Sequence, residues 1–292
     1  MLIRFIFHLS LFTFHRIHLS LNQMNLHAIA HDLKVAQDRR MSLPPITTLL
    51  PAFDQLAAYE VARLIHEQRL AEGARPVGRK IGFTNRNIWP EYGVYEPIWA
   101  HVYDRTVVNL RSHYGACSLG PFVEPRIEPE IILHFRTAPP VTSDLRAILD
   151  CIDWMAHGFE IVQSHFPGWQ FKVADTIADA SLHGTLLIGE PVPVARLGND
   201  LIDRLAGFTI ALACGDAVRA RGCGANVLDS PLAAVAHLIA KLGSQSSSPP
   251  IAAGELITTG TLTAALPIRA GERWCTSLDG IGLPAISIDC TM

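Results

Sequence analysis

The chain has 292 residues, of which 49% are hydrophobic and 17% are charged, and its formal net charge is −3. This length can enclose one large core, either in a single domain or in a domain with a small appendage. The net charge is near neutral and the chain has no basic block, so a nucleic-acid partner is not expected. No apolar stretch reaches about eighteen residues, so a membrane span is not expected either.

Six cysteines lie far apart and form no CxxC pair: Cys117, Cys151, Cys214, Cys223, Cys275 and Cys290. In a chain of this length, such spacing indicates reduced and buried thiols in a cytoplasmic protein. A thiolate metal site or a disulfide scaffold is the weaker interpretation.

The first 23 residues begin like a secretory signal, with a basic residue followed by apolar ones. Polar residues interrupt the apolar run, at His8, His15, Arg16 and His18, and no small-residue cleavage site follows. We therefore expect residues 1–23 to be a disordered or non-native extension, and the protein proper to start at Met24 or Met41.

The next predicted element is a helix over residues 54–71, where apolar residues repeat on one helical face. Gly73 would end this helix, and Pro76 follows as expected beyond a helix end. After Pro76, short apolar runs alternate with turn residues, which is typical of strands. The sequence therefore predicts a small helical N-terminal region over residues 24–76 and a larger domain over residues 77–292.

Two further helices are predicted in the larger domain. One covers residues 143–154, where apolar residues again form one face. The other begins at Ser230, which would cap it ahead of a proline in the first helical position, and it ends at Gly243.

The remaining elements of the larger domain are mostly strands. Residues 208–214 and 217–221 alternate in polarity around a Gly-Asp turn and predict a hairpin. Two more strands are predicted near residues 256–259 and 285–288, and residues 244–250 form a loop by composition. A mostly β domain with a few helices packed on it indicates the α+β class.

The most informative stretch is EPRIEPEIILHF, residues 124–135. If it is a strand, the period of two places Glu128 and Glu130 on one face. Two adjacent carboxylates repel each other unless a proton or a cation intervenes, and all-oxygen ligation suits Mg²⁺, Mn²⁺ or Ca²⁺. For this pair alone, a solvated edge strand is the more common explanation, and Pro129 favours an edge.

A third carboxylate favours the metal site over the solvated strand. Glu160 lies in HGFEIVQ, residues 157–163, a strand-like apolar run that follows the helix predicted over residues 143–154. A lone glutamate among such neighbours is not typical of a solvated surface. With Glu128 and Glu130 it supplies three carboxylates for one hard cation.

Five segments together resemble one known family. They are, in chain order, GRKIGFT (78–84), RIEPEI (126–131), FEIV (159–162), DTIAD (175–179) and TGTLT (259–263). The chain resembles the 2-keto-4-pentenoate hydratase and 4-oxalocrotonate decarboxylase branch of the fumarylacetoacetate hydrolase-like superfamily, from about residue 26 to residue 288. This resemblance implies an α+β fold built on a mixed β-roll, like the C-terminal domain of fumarylacetoacetate hydrolase, and a homo-oligomer.

The resemblance also implies which residues form the site. Glu128, Glu130 and Glu160 would bind a divalent cation, Mg²⁺ or Mn²⁺, and Lys80 would point into the pocket as a catalytic residue. The apolar and glycine-rich surroundings of Lys80 could lower its pKa, so that it transfers a proton or binds the substrate carboxylate. A surface lysine near a turn is an equal alternative.

Two other segments of the resemblance supply further candidates. Asp175 is a catalytic candidate and Asp179 a substrate-binding one, although a turn-capping role is an equal alternative. Thr259, Gly260 and Thr261 are expected to bind a substrate carboxylate through hydroxyls and an exposed N–H. Their alternative is an ordinary glycine bulge at a strand end.

Departures from the family pattern leave the reaction open between hydration and decarboxylation. EPIWAH (96–101) stands where hydratases commonly carry an aspartate, and ADASLH (178–183) stands in place of ADNAS. His101 and His183 are candidate pocket bases, but hydrogen-bonded structural histidines are more common.

The resemblance thus implies a divalent-metal-dependent hydratase that converts 2-hydroxy-2,4-dienoate (2-keto-4-pentenoate-type) acids into 4-hydroxy-2-oxo acids, and we expect it to be cytoplasmic. Such a small-molecule substrate can chelate a cation through its carboxylate and the neighbouring oxygen, and the cation stabilises the enolate. The alternatives are a decarboxylase of a 4-oxalocrotonate-like 2-oxo dioic acid and a catalytically silent partner subunit of such an enzyme. A related C–C hydrolase would be expected to carry a Glu-His pair near the N-terminal end of the domain, and the sequence shows no convincing pair there.

Overall fold

The computed structural model describes residues 24–110, 114–245 and 248–292, so the extension predicted over residues 1–23 lies outside the described residues. In the described residues the helices are α1 (Leu26–Arg39), α2 (Ile46–Leu49), α3 (Gln55–Ala71), α4 (Trp89–Tyr92), α5 (Leu145–Leu149), α6 (Val173–Ala178), α7 (Leu201–Gly207) and α8 (Pro231–Ser244). No helix in this part of the chain has the length and apolar character that crossing a bilayer requires.

The strands of the described residues outnumber the helices. They are β1 (Pro76–Gly82), β2 (Ile98–Tyr103), β3 (Val107–Asn109), β4 (Tyr114–Ser118), β5 (Arg126–Phe135), β6 (Ile152–Val162), β7 (His183–Ile188), β8 (Val192–Pro193), β9 (Thr209–Cys214), β10 (Ala217–Cys223), β11 (Leu256–Thr258), β12 (Leu266–Pro267), β13 (Arg273–Asp279) and β14 (Ser287–Thr291). The predicted α+β class is confirmed.

The strands form two sheets with both parallel and antiparallel pairs. The first runs β2-β1-β11-β5-β6-β7-β3, with β12 added to β5 and β8 to β6, and the second runs β10-β9-β13-β14-β4. In a flat sheet β1 and β6 would lie three strand spacings apart, roughly 14 Å. Lys80 of β1 nevertheless reaches Glu160 of β6, with Nζ 3.1 Å from Oε2. The first sheet therefore curls into the predicted mixed roll and brings distant strands together around the site.

The N-terminal region is helical, as predicted. Asp54 caps α3 by accepting a hydrogen bond from the Ala57 backbone N–H at 2.9 Å, which confirms the helix predicted over residues 54–71. The buried face of α3 packs against α1 and against α6 of the larger domain, in a shared hydrophobic cluster. The division into two domains at residue 76 stays a prediction.

The later elements follow the sequence prediction with one clear error. The β9–β10 hairpin and α8, which Ser230 caps, are confirmed, and β11 and β14 lie near the predicted strands. The helix predicted over residues 143–154 is too long, because α5 ends at Leu149 and β6 begins at Ile152. Ile152 pairs with Phe135, so the hydrogen bonds of a central strand outweigh the local helical pattern.

The cysteines form no disulfide in the structure, which describes all six of them. Cys117 and Cys290 are buried, and the other four are partly exposed. The expectation that all six would be buried is wrong, and the reduced state of the thiols stays a prediction.

Candidate active site

The three predicted glutamates come together on two neighbouring strands. Glu128 and Glu130 extend from one face of β5, and the strand register places Glu128 directly opposite Glu160 of β6. One carboxylate oxygen from each residue lies within 4.8 Å of the others. Glu130 and Glu160 are both 0% exposed, whereas Glu128 is partly accessible.

The alternative of a solvated edge strand is wrong, because β5 lies inside the sheet between β11 and β6. Pro129 cannot donate a backbone hydrogen bond, yet the strand tolerates it. The reason is that β11 pairs with β5 only as far as Ile132 and β12 only from Ile127. Pro129 therefore falls between two partners, where no ladder bond is lost.

Two oxygens of the carboxylate cluster are held by hydrogen bonds, and the two opposite oxygens are left facing the cluster. Glu130 Oε2 accepts the Gly260 backbone N–H at 2.8 Å, and Glu160 Oε1 accepts from His183 Nδ1 at 2.7 Å. Of the other two oxygens, Glu130 Oε1 is buried without a hydrogen bond, and Glu160 Oε2 has the Lys80 ammonium 3.1 Å away. Because burying an unsatisfied carboxylate oxygen is costly, these two atoms fit the requirements of cation ligands.

The charges of the cluster also fit a divalent cation. Three carboxylates and the Lys80 ammonium leave two negative charges, which one such ion would neutralise. Burial, together with repulsion from Glu160, raises the pKa of Glu128 to about 7 and that of Glu130 well above its usual range. Protons held on these groups would therefore leave when a cation binds.

Glu160 and Lys80 form the ionised pair of the cluster. Burial opposes the charge on Glu160, but Lys80 and His183 outweigh it and lower its pKa to about 2. Burial likewise opposes the charge on Lys80, but the negative potential of the three glutamates raises its pKa. The surface-lysine alternative is wrong, because Lys80 is only 3% exposed, and a lowered pKa of Lys80 stays a prediction for the cation-bound site.

A cavity opens onto this cluster and has a polar part and an apolar wall. Lys80, Glu128, Thr84, Ser181 and Thr261 are among its polar lining residues. The hydroxyl groups of Thr84 and Ser181 are buried and make no hydrogen bond within the protein. They are thus available to a ligand, and the sequence analysis did not single them out.

The apolar wall includes four aromatic rings from three separate segments of the chain. The Tyr92 ring lies 5.5 Å from that of Phe83 and 5.3 Å from that of Phe171, and Phe171 is 6.0 Å from Trp169. The guanidinium of Arg126, which also lines the cavity, lies 3.9 Å from the centre of the Trp169 ring. No single sequence motif contains these residues, which is why they were missed.

Of the predicted substrate-binding residues, Gly260 and Thr261 line the cavity. The Thr261 hydroxyl donates to Thr263 O at 3.0 Å. Thr259 does not line the cavity, since both its N–H and its hydroxyl donate to Ile131 O. Thr259 therefore secures the end of β11, and its contact with substrate stays a prediction.

The structure places Asp175 and Asp179 away from the cavity lining, and Asp175 has the capping position that was its alternative. Asp175 accepts hydrogen bonds from the backbone and hydroxyl of Thr47, at 2.9 and 2.7 Å, and from the Lys172 backbone at 2.8 Å. Asp179 accepts from His165 Nδ1 at 2.8 Å and from Gln37 at 3.1 Å. Neither lines the cavity, because both carboxylates tie the helical region to α6 and its flanks.

The two candidate histidines lie in different places. His101 pairs with Arg79 across β1 and β2, so it lies on the sheet face opposite Lys80. Its ring stacks on His66 at 3.9 Å, and burial lowers its pKa to about 3. His101 is therefore structural, whereas His183 contacts the carboxylate cluster through Glu160.

Gly260 provides a first test of the site. Its φ of +96° favours glycine, and a Cβ would lie 1.9 Å from Thr84 Oγ1. Gly260→Ala is expected to lower the free energy of unfolding by roughly 2–4 kcal/mol and to weaken Mn²⁺ binding, because the N–H that holds Glu130 would move. Thermal unfolding and Mn²⁺ titration measure the two effects.

Gly254→Ala is the matched control. Gly254 has a φ of +88°, but a methyl group added to it would meet no other atom within 4 Å. Its expected cost is about 1–2 kcal/mol from the left-handed backbone alone, with unchanged Mn²⁺ affinity. Equal effects of the two substitutions would contradict the close approach of Thr84 to Gly260.

No protein-family profile matches the chain. The chain is 30% identical over 267 residues to a 2-keto-4-pentenoate hydratase of Dechloromonas aromatica, and the match covers 89% of this chain and 96% of the relative. It is 32% identical over 220 residues to a 4-oxalocrotonate decarboxylase of a Pseudomonas species, and this match covers 73% of this chain and 79% of the relative.

A solved structure shares the fold. It is the 4-oxalocrotonate decarboxylase from Pseudomonas putida G7 complexed with magnesium and adipate, with a TM-score of 0.82 and 24% sequence identity. The similarity covers 93% of this chain and 99% of that one. The fold predicted from the five sequence segments is thereby confirmed.

Proposed function

Because the chain belongs to the family of 2-keto-4-pentenoate hydratases and 4-oxalocrotonate decarboxylases, within the fumarylacetoacetate hydrolase-like superfamily, we propose that it is a carbon–oxygen lyase. Its reaction hydrates 2-hydroxy-2,4-dienoate acids to 4-hydroxy-2-oxo acids. The observation that carries this proposal is the meeting of Glu128, Glu130, Glu160 and Lys80 beside one cavity. This complete set also argues against a catalytically silent subunit.

The cation of this site is proposed to be Mg²⁺ or Mn²⁺. All-oxygen donor sets suit hard cations, and the family includes a decarboxylase solved with magnesium. When bound, the ion would supply Lewis-acid stabilisation of the negative charge that develops on the substrate's 2-oxygen. The proposed holders of the ion are Glu128, Glu130 and Glu160.

Lys80 is proposed to transfer protons to and from the substrate. Its ammonium lies inside the cavity, where Nζ is held 3.1 Å from Glu160 Oε2. When the dienol becomes a ketone, its hydroxyl proton leaves and the far end of the carbon chain gains one, so a group that gives and takes a proton is needed. Water then adds its oxygen to C4 and a proton to C3, and the Thr84 and Ser181 hydroxyls are positioned to bind the polar atoms involved.

The apolar wall predicts the kind of substrate tail that the cavity accepts. A charged group placed against the Phe83 and Phe171 rings would lose hydration and meet no opposite charge there, whereas a group that extends to Arg126 would meet one. A 2-hydroxydienoate with a short alkyl tail is therefore expected to react with a kcat/KM at least about tenfold above that of its analogue with a terminal carboxylate. Following the ultraviolet absorbance of the dienol with each acid, in the presence of Mg²⁺, measures this ratio.

A second candidate function is decarboxylation of a 2-oxo dioic acid. It is favoured by Arg126, whose guanidinium lies in the cavity lining and can pair with a second carboxylate. The same experiment separates the two reactions when CO₂ is measured alongside. CO₂ release from a 2-oxo dioic acid, without hydration of any dienoate, would contradict the hydratase proposal. The homo-oligomeric state and the cytoplasmic location stay predictions.

A further inference from the structure

A bulge interrupts the pairing of β6 and β7 beside the metal cluster. Glu160 pairs with Leu186, whereas Val162, two residues further along β6, pairs with His183 rather than with Gly184. Regular alternation from Leu186 would place His183 on the opposite face of the sheet from Glu160. The bulge shifts the register by one residue and thus turns His183 toward the face that carries Glu160.

Gly184 makes this bulge sterically feasible. A Cβ at Gly184 would lie 2.5 Å from the carbonyl oxygen of Ile161 and 3.1 Å from the ring of Phe122. A side chain at this position would therefore push β7 away from β6. Glycine lets the two strands stay close enough for His183 to reach across.

His183 is held at both ring nitrogens. Nδ1 lies 2.7 Å from Glu160 Oε1, and Nε2 lies 2.8 Å from the hydroxyl oxygen of Thr106. Because an ionised carboxylate only accepts hydrogen bonds, Nδ1 of His183 carries a hydrogen and donates a hydrogen bond to Glu160. The side chain is 4% exposed, so water does not compete for this contact, and Thr106 prevents the ring from turning.

We propose that His183 is a positioning residue that fixes the orientation of Glu160 as a metal ligand. By binding Oε1, it leaves Oε2 directed toward Lys80, whose Nζ is 3.1 Å away, and toward the other carboxylates. Hydrogen bonds to the far side of a ligating group commonly set its orientation and its affinity for the ion. The inference rests on the proposed metal site, and it assigns a role to His183, which directly follows the residues that stand in place of ADNAS.

The test compares two substitutions that differ in one donor group. His183→Leu removes the donor to Glu160, whereas His183→Asn keeps an N–H group close to the position of Nδ1. His183→Leu is expected to raise the dissociation constant for Mn²⁺ by about 10- to 100-fold, and His183→Asn by no more than about threefold. Mn²⁺ titration followed by electron paramagnetic resonance gives both constants without relying on turnover.

His165→Leu is the control for the loss of a buried histidine. His165 is 2% exposed in its side chain and binds the carboxylate of Asp179 at 2.8 Å, away from the three glutamates. Its substitution is expected to lower the melting temperature but to leave the Mn²⁺ affinity unchanged. A folded His183→Leu protein that binds Mn²⁺ as tightly as the wild type would overturn the inference.

Thr106→Val keeps the test decisive if His183→Leu does not fold. It removes the hydroxyl that anchors Nε2 but leaves the imidazole in place, and it is expected to weaken Mn²⁺ binding by about three- to tenfold. Unchanged affinity in this variant would also overturn the inference. Wild-type protein that binds no Mn²⁺ would instead refute the proposed metal site itself, so the two failures are distinguishable.

Discussion

Replacing any one of Glu128, Glu130 and Glu160 with glutamine is expected to raise the dissociation constant for Mn²⁺ by about 100-fold or more. Each substitution removes one of three anionic ligands and leaves a neutral amide in a site whose charge matches a divalent ion. Activity at low metal should fall with the affinity. Excess Mn²⁺ should restore part of it, because mass action refills a weakened site.

Glu255→Gln is the matched control for this series. Glu255 is a largely buried carboxylate that pairs with Arg79 at 3.2 Å, outside the cluster. Its substitution should leave Mn²⁺ affinity unchanged while lowering stability. If Glu160→Gln retained wild-type affinity, or if Glu255→Gln lost it, the assignment of the metal ligands would be wrong.

The second large effect is expected for Lys80→Met, which should lower turnover by about 10²- to 10⁴-fold, the usual range for a lost acid–base group. Methionine fills a similar volume but cannot carry a proton. Mn²⁺ should still bind, because removing a positive charge 3.1 Å from Glu160 does not disfavour a cation. Steady-state kinetics at saturating Mn²⁺ and a parallel titration measure the two quantities.

Lys34→Met controls for the loss of a buried, ion-paired lysine. Lys34 is 8% exposed and pairs with Asp38 and Glu72 in the N-terminal helical region. This variant should be less stable but equally active once folded. Loss of Mn²⁺ binding in Lys80→Met would indicate that the lysine organises the ligands rather than transferring a proton.

Local periodicity predicted the parts of the site that lie on one strand. The period of two was enough to place Glu128 and Glu130 on the same face, whatever the rest of the chain does. The contact with Glu160 required the β5–β6 register, and that with Lys80 required the sheet to curl across three strands. Neither contact is a local property of the sequence. The contact with Glu160 was inferred from carboxylate chemistry, and the contact with Lys80 was inferred from the family resemblance.

The predictions that differ from the structure followed a local sequence pattern at places where tertiary contacts determine the conformation. Asp175 and Asp179 lie in a segment that resembles a family site, but the direction of α6 turns their carboxylates toward the helical region. The helix predicted over residues 143–154 followed its apolar spacing past the point where sheet pairing takes over. The aromatic wall was invisible in the sequence, because its rings come from segments that only the fold brings together.

The placement of Glu128 directly opposite Glu160 has a consequence for the amount of protein in a cell. Like charges facing each other weaken a strand pair, and here the pair lies in the middle of the first sheet. A cation that binds only the folded chain adds about 2.7 kcal/mol to its stability at a hundredfold excess over the dissociation constant, out of a typical total of about 5–15 kcal/mol. A shortage of the metal would then lower the activity and also increase the unfolded fraction that proteases can degrade, which would shorten the lifetime of the protein.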